Sequence, residues 1–373
     1  MFQATHRAQL HIARLFLAIL FPVLLIGCSE QGVEPLLPDN TQQSTTLAKG
    51  HVGLERAMEV QDRHTERFLE QRGVVGTGTG LTEEGLPAVI IFTEKHIPDG
   101  QLPAELEGIP VIQYVSGKMT PTSAAYAAKG KPTGSKQSTS TTVPSPASQF
   151  SRPVPIGVST SNWNECSAGT IGVRVRSGEN YYVLSCNHVF ARCNLASIGE
   201  KILQPGRSDQ SCSQSASNEI GQVVDFQPLA PGFNNSNIMD AALVSTTPAL
   251  ISNTTPQDGY GVPSSTTATA YIGMEVQKYG RTTGLTKGKV YAVNTTVVLN
   301  YGIGPMRFTN QIVFVRVRKK AVFVDGGDSG SLLVTDDANA NPVGIIYGKS
   351  SSFACVAPID PILTRFNVQI DGK

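Results

Sequence analysis

Apolar and polar positions divide this chain into segments of very different kinds. Leu15 to Gly27 form an unbroken apolar run behind a polar start that carries Arg7 and Arg14. The run is too short to cross a hydrocarbon core of ~30 Å as a helix, and it suits the apolar centre of an export signal over residues 1–27. Residues 28–50 are polar and read as a tether. From 52 to 72 the spacing changes: Leu54, Ala57, Met58, Phe68 and Leu69 lie roughly on one helical face, and Gly73 is placed to cap the end. Strand-like runs follow at 73–78, 86–93 and 110–116, the first two separated by a turn at Glu84-Gly85. Residues 51–116 therefore predict a small α/β domain. Gly76-Thr77-Gly78-Thr79-Gly80 has no Lys-Ser/Thr and no following helix, so it reads as a flexible β-turn, not a phosphate loop.

Residues 117–152 are dense in Ser, Thr, Pro, Gly, Ala and Lys. They offer too little apolar surface to offset the entropy of ordering, and read as a flexible linker. From 153 to 373 the pattern is one of short alternating runs, at 169–176, 181–185, 275–279, 289–298, 311–317 and 343–347, with turn residues between them. A helix is expected only near Pro361–Phe366. This is the periodicity of an all-β barrel or sandwich.

Composition agrees. With 30 Lys+Arg against 29 Asp+Glu, 16% charged residues, 36 Gly and 23 Pro, the chain is nearly neutral and rich in turn formers. It lacks the basic footprint of a nucleic-acid binder and the charge of a disordered tail, and it does not suit a helix bundle.

The apolar run ends in Leu25-Ile26-Gly27-Cys28, which resembles the lipobox of bacterial lipoproteins. That resemblance implies cleavage before Cys28, a lipid on its sulfur, and anchorage to a membrane by acyl chains, not by a spanning helix. Ser29 after the cysteine resembles proteins sorted to the outer membrane, facing the periplasm. Export implies an oxidising compartment, in which Cys166, Cys186, Cys193, Cys212 and Cys355 can pair, with one left over. Cys193 and Cys212 flank one loop and are the first pair expected. No Cys-x-x-Cys occurs and the cysteines lack His partners, so no metal site is expected.

Three segments carry chemistry. His188, the one histidine after residue 152, ends the run Tyr181–Val189. Asp240 opens the apolar stretch Ala241-Ala242-Leu243-Val244. Ser329 sits at the apex of Asp325-Gly326-Gly327-Asp328-Ser329-Gly330-Ser331, ahead of Leu332-Leu333-Val334. Each alone has an ordinary structural reading: a core histidine, a turn cap, a tight turn. A buried Asp without a partner is costly, however, and glycines on both sides of a hydroxyl let backbone N–H groups converge on one point.

Taken in the order His188, Asp240, Ser329, the segments resemble the trypsin-like (chymotrypsin-fold) serine peptidases, over most of 153–373. Gly280-Arg281-Thr282-Thr283-Gly284 and Gly344-Ile345-Ile346-Tyr347-Gly348 resemble strands of the second barrel in that family. The chain as a whole resembles a divergent bacterial branch that includes the plant narrow-leaf proteins. The resemblance implies a mainly β fold, with a double β-barrel peptidase domain at 153–373 behind the small α/β domain and linker. It also implies a Ser-His-Asp triad, an oxyanion hole from the N–H groups of Gly327 and Ser329, a structural role for Asp328, and no cofactor. The implied partner is a protein or peptide substrate. A non-catalytic scaffold and an esterase with the same triad are the alternatives.

The chain also departs from the family. Cys186 precedes His188 by two residues, where many relatives have a Cys directly after it. Ser331 replaces a common Gly. Arg152 is followed by Pro153, so no cleavable junction supplies a new N-terminus to pair with Asp328, which then needs another partner such as an Arg. Phe323 stands at the base of the implied specificity pocket and Gly348 on its bordering strand. With no carboxylate there, a small or apolar residue is expected on the acyl side of the cleaved bond. Trp163 is expected in the core.

Overall fold

The computed structural model describes residues 53–122, 143–316 and 322–373. Helix α1 (Leu54–Leu69) buries Ala57, Val60, Gln61, Thr65 and Phe68, one stripe at three- and four-residue spacing. It ends before Gly73, whose φ of +91° instead turns the chain into β1 (Val74–Leu81). Strand β2 (Pro87–Thr93) pairs antiparallel with β1. After the short β3 (Glu105–Leu106), β4 (Ile109–Val115) runs parallel to β2. The glycine-rich stretch 76–80 is thus strand, not turn.

A first barrel follows. Its strands are β6 (Ser159–Asn162), β7 (Gly169–Thr170), β8 (Val173–Ser177), β9 (Asn180–Ser185), β10 (Lys201–Leu203), β11 (Glu219–Phe226) and β13 (Ala242–Thr246), preceded in the chain by β5 (Thr120–Pro121). Pairing runs β8–β9–β13–β11–β10–β6–β7. Because β7 leads directly into β8, the bonds Ile171 N–H to Val158 O (2.9 Å) and Gly157 N–H to Ile171 O (2.7 Å) close the ring.

The second barrel comprises β14 (Glu275–Gly280), β15 (Gly284–Asn300), β16 (Pro305–Arg316), β17 (Leu332–Thr335), β18 (Pro342–Lys349) and β19 (Phe353–Pro358). Its ring of pairings, β14–β15–β16–β19–β18–β17–β14, is complete. The segment β12 (Gly232–Asn237) leaves the first barrel to lie parallel to β16, the one-turn α2 (Asn187–Phe190) follows β9, and α3 (Ile359–Phe366) follows β19. After α3, β20 (Gln369–Ile370) returns to pair with β8.

The N-terminal α/β segment does not stand apart as a separate domain. The early part of β15 gives one edge to β14; farther along, the same edge takes β1, with Gly76 opposite Val297 and Thr77 opposite Thr296. At Gly76 a Cβ would come within 2.6 Å of the Thr296 carbonyl, so only glycine permits this approach. Phe92 and Tyr114 then pack on Phe353 and Tyr291, with ring centroids 5.0 Å (Phe92–Phe353) and 5.1 Å (Tyr114–Tyr291) apart, joining this segment to the second-barrel core. The described ends of the expected linker are also built in: β5 pairs with β18, and Gln149 and Phe150 bond to Asn218 and Gln204.

The expected Cys193–Cys212 bond is not formed. Cys212 is bonded to Cys166, whose Cα lies 5.1 Å away, within disulfide reach. The two loops are held together by bonds such as Ser208 N–H to Ser167 O, while Cys193 is buried in the first-barrel core. Trp163 is only half-buried, with the Lys201 ammonium over its ring. Residues 1–27, Cys28 and the tether lie outside the described residues.

Candidate active site

Three chain segments meet where the barrels face each other. β9 delivers α2, whose first turn carries His188. The loop ahead of β13 delivers Asp240, and the turn between Asp325 and β17 delivers Ser329. His188 Nε2 lies 2.7 Å from Ser329 Oγ, and Nδ1 is hydrogen-bonded to Asp240 Oδ2. The second carboxylate oxygen, Oδ1, accepts the backbone N–H of His188 at 3.1 Å, and Tyr301 OH donates to Oδ2 at 2.7 Å. Asp240 thus holds His188 at two points, the ring and the backbone, and is itself held by a phenol. Tyr301 also sets its ring edge-on to the imidazole, centroids 5.6 Å apart. Burial, with Asp240 beside it, drives the Tyr301 pKa far up, so it remains a donor. At the start of α2, the Asn187 side-chain amide donates to Asn194 Oδ1 and Gln227 O and anchors the turn.

The serine turn depends on its glycines. Gly327 has φ +104° and Gly330 φ +92°. A side chain at Gly327 would strike Thr282 and Arg281, and one at Gly330 would strike Ser185 and the Thr170 carbonyl. Thr170 fastens the turn to the first barrel: its N–H donates to Ser329 O (2.8 Å) and its hydroxyl to Gly327 O (2.8 Å). Gly330 N–H donates to Ile346 O of β18 (2.8 Å), and Ser331 Oγ–H to Asp328 O (2.6 Å), so the Gly-to-Ser departure adds a tie inside the turn.

Asp328 is fully buried beneath this turn. Its partner is Lys278 of β14, with Nζ 3.3 Å from Oδ2, in place of the expected Arg. It also accepts the N–H groups of Thr282 (2.9 Å), Thr283 (3.2 Å) and Asp325 (2.9 Å) and the Thr283 hydroxyl (2.7 Å). Burial alone would raise its pKa. The Lys278 charge and these donors outweigh burial and hold the carboxyl below its usual range. Arg281, on the next segment, forms a buried ion pair with Asp209 of the first barrel.

Cys186 Sγ, His188 and Asp240 offer ligand atoms within 4.8 Å of one another. These atoms are already engaged: the thiol donates to Ile346 O, and burial raises its pKa far above the usual value, away from the thiolate a metal needs. The triad fits proton transfer better than metal binding.

Of the two expected pocket residues, Gly348 lies in β18 opposite Pro121, and a side chain there would collide with Leu299. Phe323 instead buries its ring edge-on to Phe314, centroids 5.4 Å apart, within a cluster that includes Val276 and Val356.

Two closed barrels carry these residues at their junction, His188 and Asp240 from the first and Ser329 from the second. The fold is that of the trypsin-like (chymotrypsin-fold) serine peptidases. Among solved structures of this fold, the chain is similar to Thermobifida fusca Protease A. The identity is 20%, covering 59% of this chain and 99% of that one, with a TM-score of 0.42. It is also similar to Cellulomonas bogoriensis chymotrypsin (18%, covering 59% and 99%, TM-score 0.39) and to Nocardiopsis protease (18%, covering 58% and 98%, TM-score 0.40). A family model described as the Nal1 C-terminal domain matches residues 260–357, a stretch compatible with the plant-related branch. No curated protein matches the chain.

Lys278, Tyr301, Thr170 and Asp209 are the supporting residues that motif reading passes over. Lys278 had no clear signal, since Glu275 and Gln277 share its strand. Tyr301 had none.

Proposed function

We propose that this protein is a serine endopeptidase with Ser329 as nucleophile, His188 as general base and acid, and Asp240 as the group that orients the imidazole. The 2.7 Å approach of His188 Nε2 to Ser329 Oγ, with Asp240 on the opposite ring nitrogen, carries the proposal. A serine hydroxyl is a weak nucleophile at neutral pH and needs such a base. As Ser329 Oγ attacks the substrate carbonyl, its proton passes to His188, whose positive charge Asp240 stabilises. His188 then protonates the departing amine, leaving an acyl-enzyme on Ser329. Water, deprotonated by the same imidazole, releases the acid. The N–H groups of Gly327 and Ser329 stabilise the oxyanion; one such donor is worth about 2.7–4 kcal/mol in the transition state. The residue on the acyl side is small or apolar, and Gly348 lines the strand along which it binds. The mature chain is anchored in the bacterial envelope through lipid on Cys28.

Peptide-library cleavage and short-ester hydrolysis, run side by side, test this reading. Peptide bonds are expected to be cut, and the activity to vanish in Ser329→Ala. Ester turnover without peptide cleavage would assign an esterase instead.

A further inference from the structure

The site is closed by the protein's own chain. Ser329 is 0% and His188 2% exposed, and the segment over them is Thr120–Thr122. This segment is strand β5, antiparallel to β18 with Pro121 opposite Gly348 and Thr120 opposite Lys349. Just beyond it, Thr122 N–H donates to Tyr347 O at 3.1 Å. The Thr122 carbonyl accepts the N–H of Gly327, the donor assigned above to the oxyanion, and the Thr122 hydroxyl is hydrogen-bonded to Ser329 Oγ. Main-chain pairing to a strand edge is how extended peptides are bound, and here the Thr122 N–H and carbonyl contacts have the sense of an acyl-side substrate strand. Thr122 also has the small side chain expected at that position.

We infer that Ser329 cleaves its own chain at the peptide bond following Thr122, with Thr120–Thr122 bound as the substrate strand. The inference rests on the peptidase reading and names a first substrate for it. Ser329 Oγ bonds to the Thr122 carbonyl carbon while the bond to the Ser123 nitrogen breaks. The Ser329 proton, taken up by His188, passes to that nitrogen, which becomes a new N-terminus. Water then hydrolyses the ester, giving a Thr122 carboxylate and restoring Ser329. The N-terminal piece remains attached, because β1 is paired with β15 and β2 is packed on the second barrel. The Thr122 carboxylate accordingly stays near Gly327 as an intramolecular product inhibitor.

The full chain is to be purified and followed by intact mass and N-terminal sequencing, with fluorophosphonate labelling of Ser329 measured in parallel. A fragment beginning at Ser123 is expected in the wild type and absent from Ser329→Ala. Thr122→Pro removes the N–H given to Tyr347; it is expected to slow cleavage at least 100-fold while Ser329 still takes the label. A wild-type chain that is labelled at Ser329 yet stays intact over days would overturn self-cleavage and leave the peptidase reading standing. The same cut appearing in Ser329→Ala would also overturn it. No labelling in either the wild type or Thr122→Pro would remove the peptidase reading itself.

Discussion

Asp240, beside the first barrel, and Asp328, beneath the serine turn of the second, are both wholly buried carboxylates, and their neighbours differ in kind. Asp240 faces an imidazole, a phenol and one backbone N–H. Its main partner gains and loses a proton during the proposed reaction. Asp328 faces the ammonium of Lys278 and four hydrogen-bond donors on a neighbouring loop and its own turn. One environment suits a charge that comes and goes, and the other suits a fixed charge that shapes backbone. Losing the first should cost rate and losing the second should cost structure.

Substitutions can break that distinction. Asp240→Asn preserves size but permits the wrong imidazole tautomer, so turnover is expected to fall about 10⁴-fold with the melting temperature little changed. Lys278→Met leaves Asp328 buried without its cation; a loss of about 3–5 kcal/mol in stability is expected from denaturant unfolding. If the two variants exchanged effects, the contrast between the carboxylates would be wrong. Gly327→Ala places a side chain against Thr282 and Arg281 at a positive φ, and a drop in turnover on the order of 10²–10³ is expected from loss of the oxyanion donor.

Acid should sharpen the comparison. The folded-state pKa of Asp328 is depressed, so its stabilisation is fully present above the ordinary carboxylate value of about 3.9 and is lost as pH falls through the lower folded value. Stability measured by urea unfolding should therefore fall more steeply below about pH 4 in the wild type than in Lys278→Met. The smallest effect is expected for Tyr301→Phe. Asp240 keeps both bonds to His188, so the loss of one neutral donor should cost about 1 kcal/mol of transition-state stabilisation, read as kcat/KM.

The three side chains that meet at the candidate site were legible because each carries a local signature: a lone imidazole after a strand, a carboxylate before an apolar run, a hydroxyl among glycines. The β-rich architecture was legible from alternation. What pairs across long separations was not. The ammonium beneath the serine turn comes from a strand whose pattern shows no reason for a charge, and the Cys166 partner of Cys212 follows from how two loops pack. The small α/β segment looked independent because its helix and strands are locally complete. Only the edge that β15 leaves beyond β14 shows why β1 joins the barrel sheet. Thr122 sits in a stretch whose composition suggests a linker, and nothing in that composition marks a strand that pairs with β18.

The acylation rate of Ser329 by a fluorophosphonate, followed by intact-protein mass spectrometry in the wild type and in His188→Ala, tests the proposed nucleophile most directly. A single adduct mapping to Ser329 in the wild type, and a rate lower by several orders of magnitude in His188→Ala, is the expected result. Equal rates in the two proteins, or an adduct at another residue, would contradict activation of Ser329 by His188.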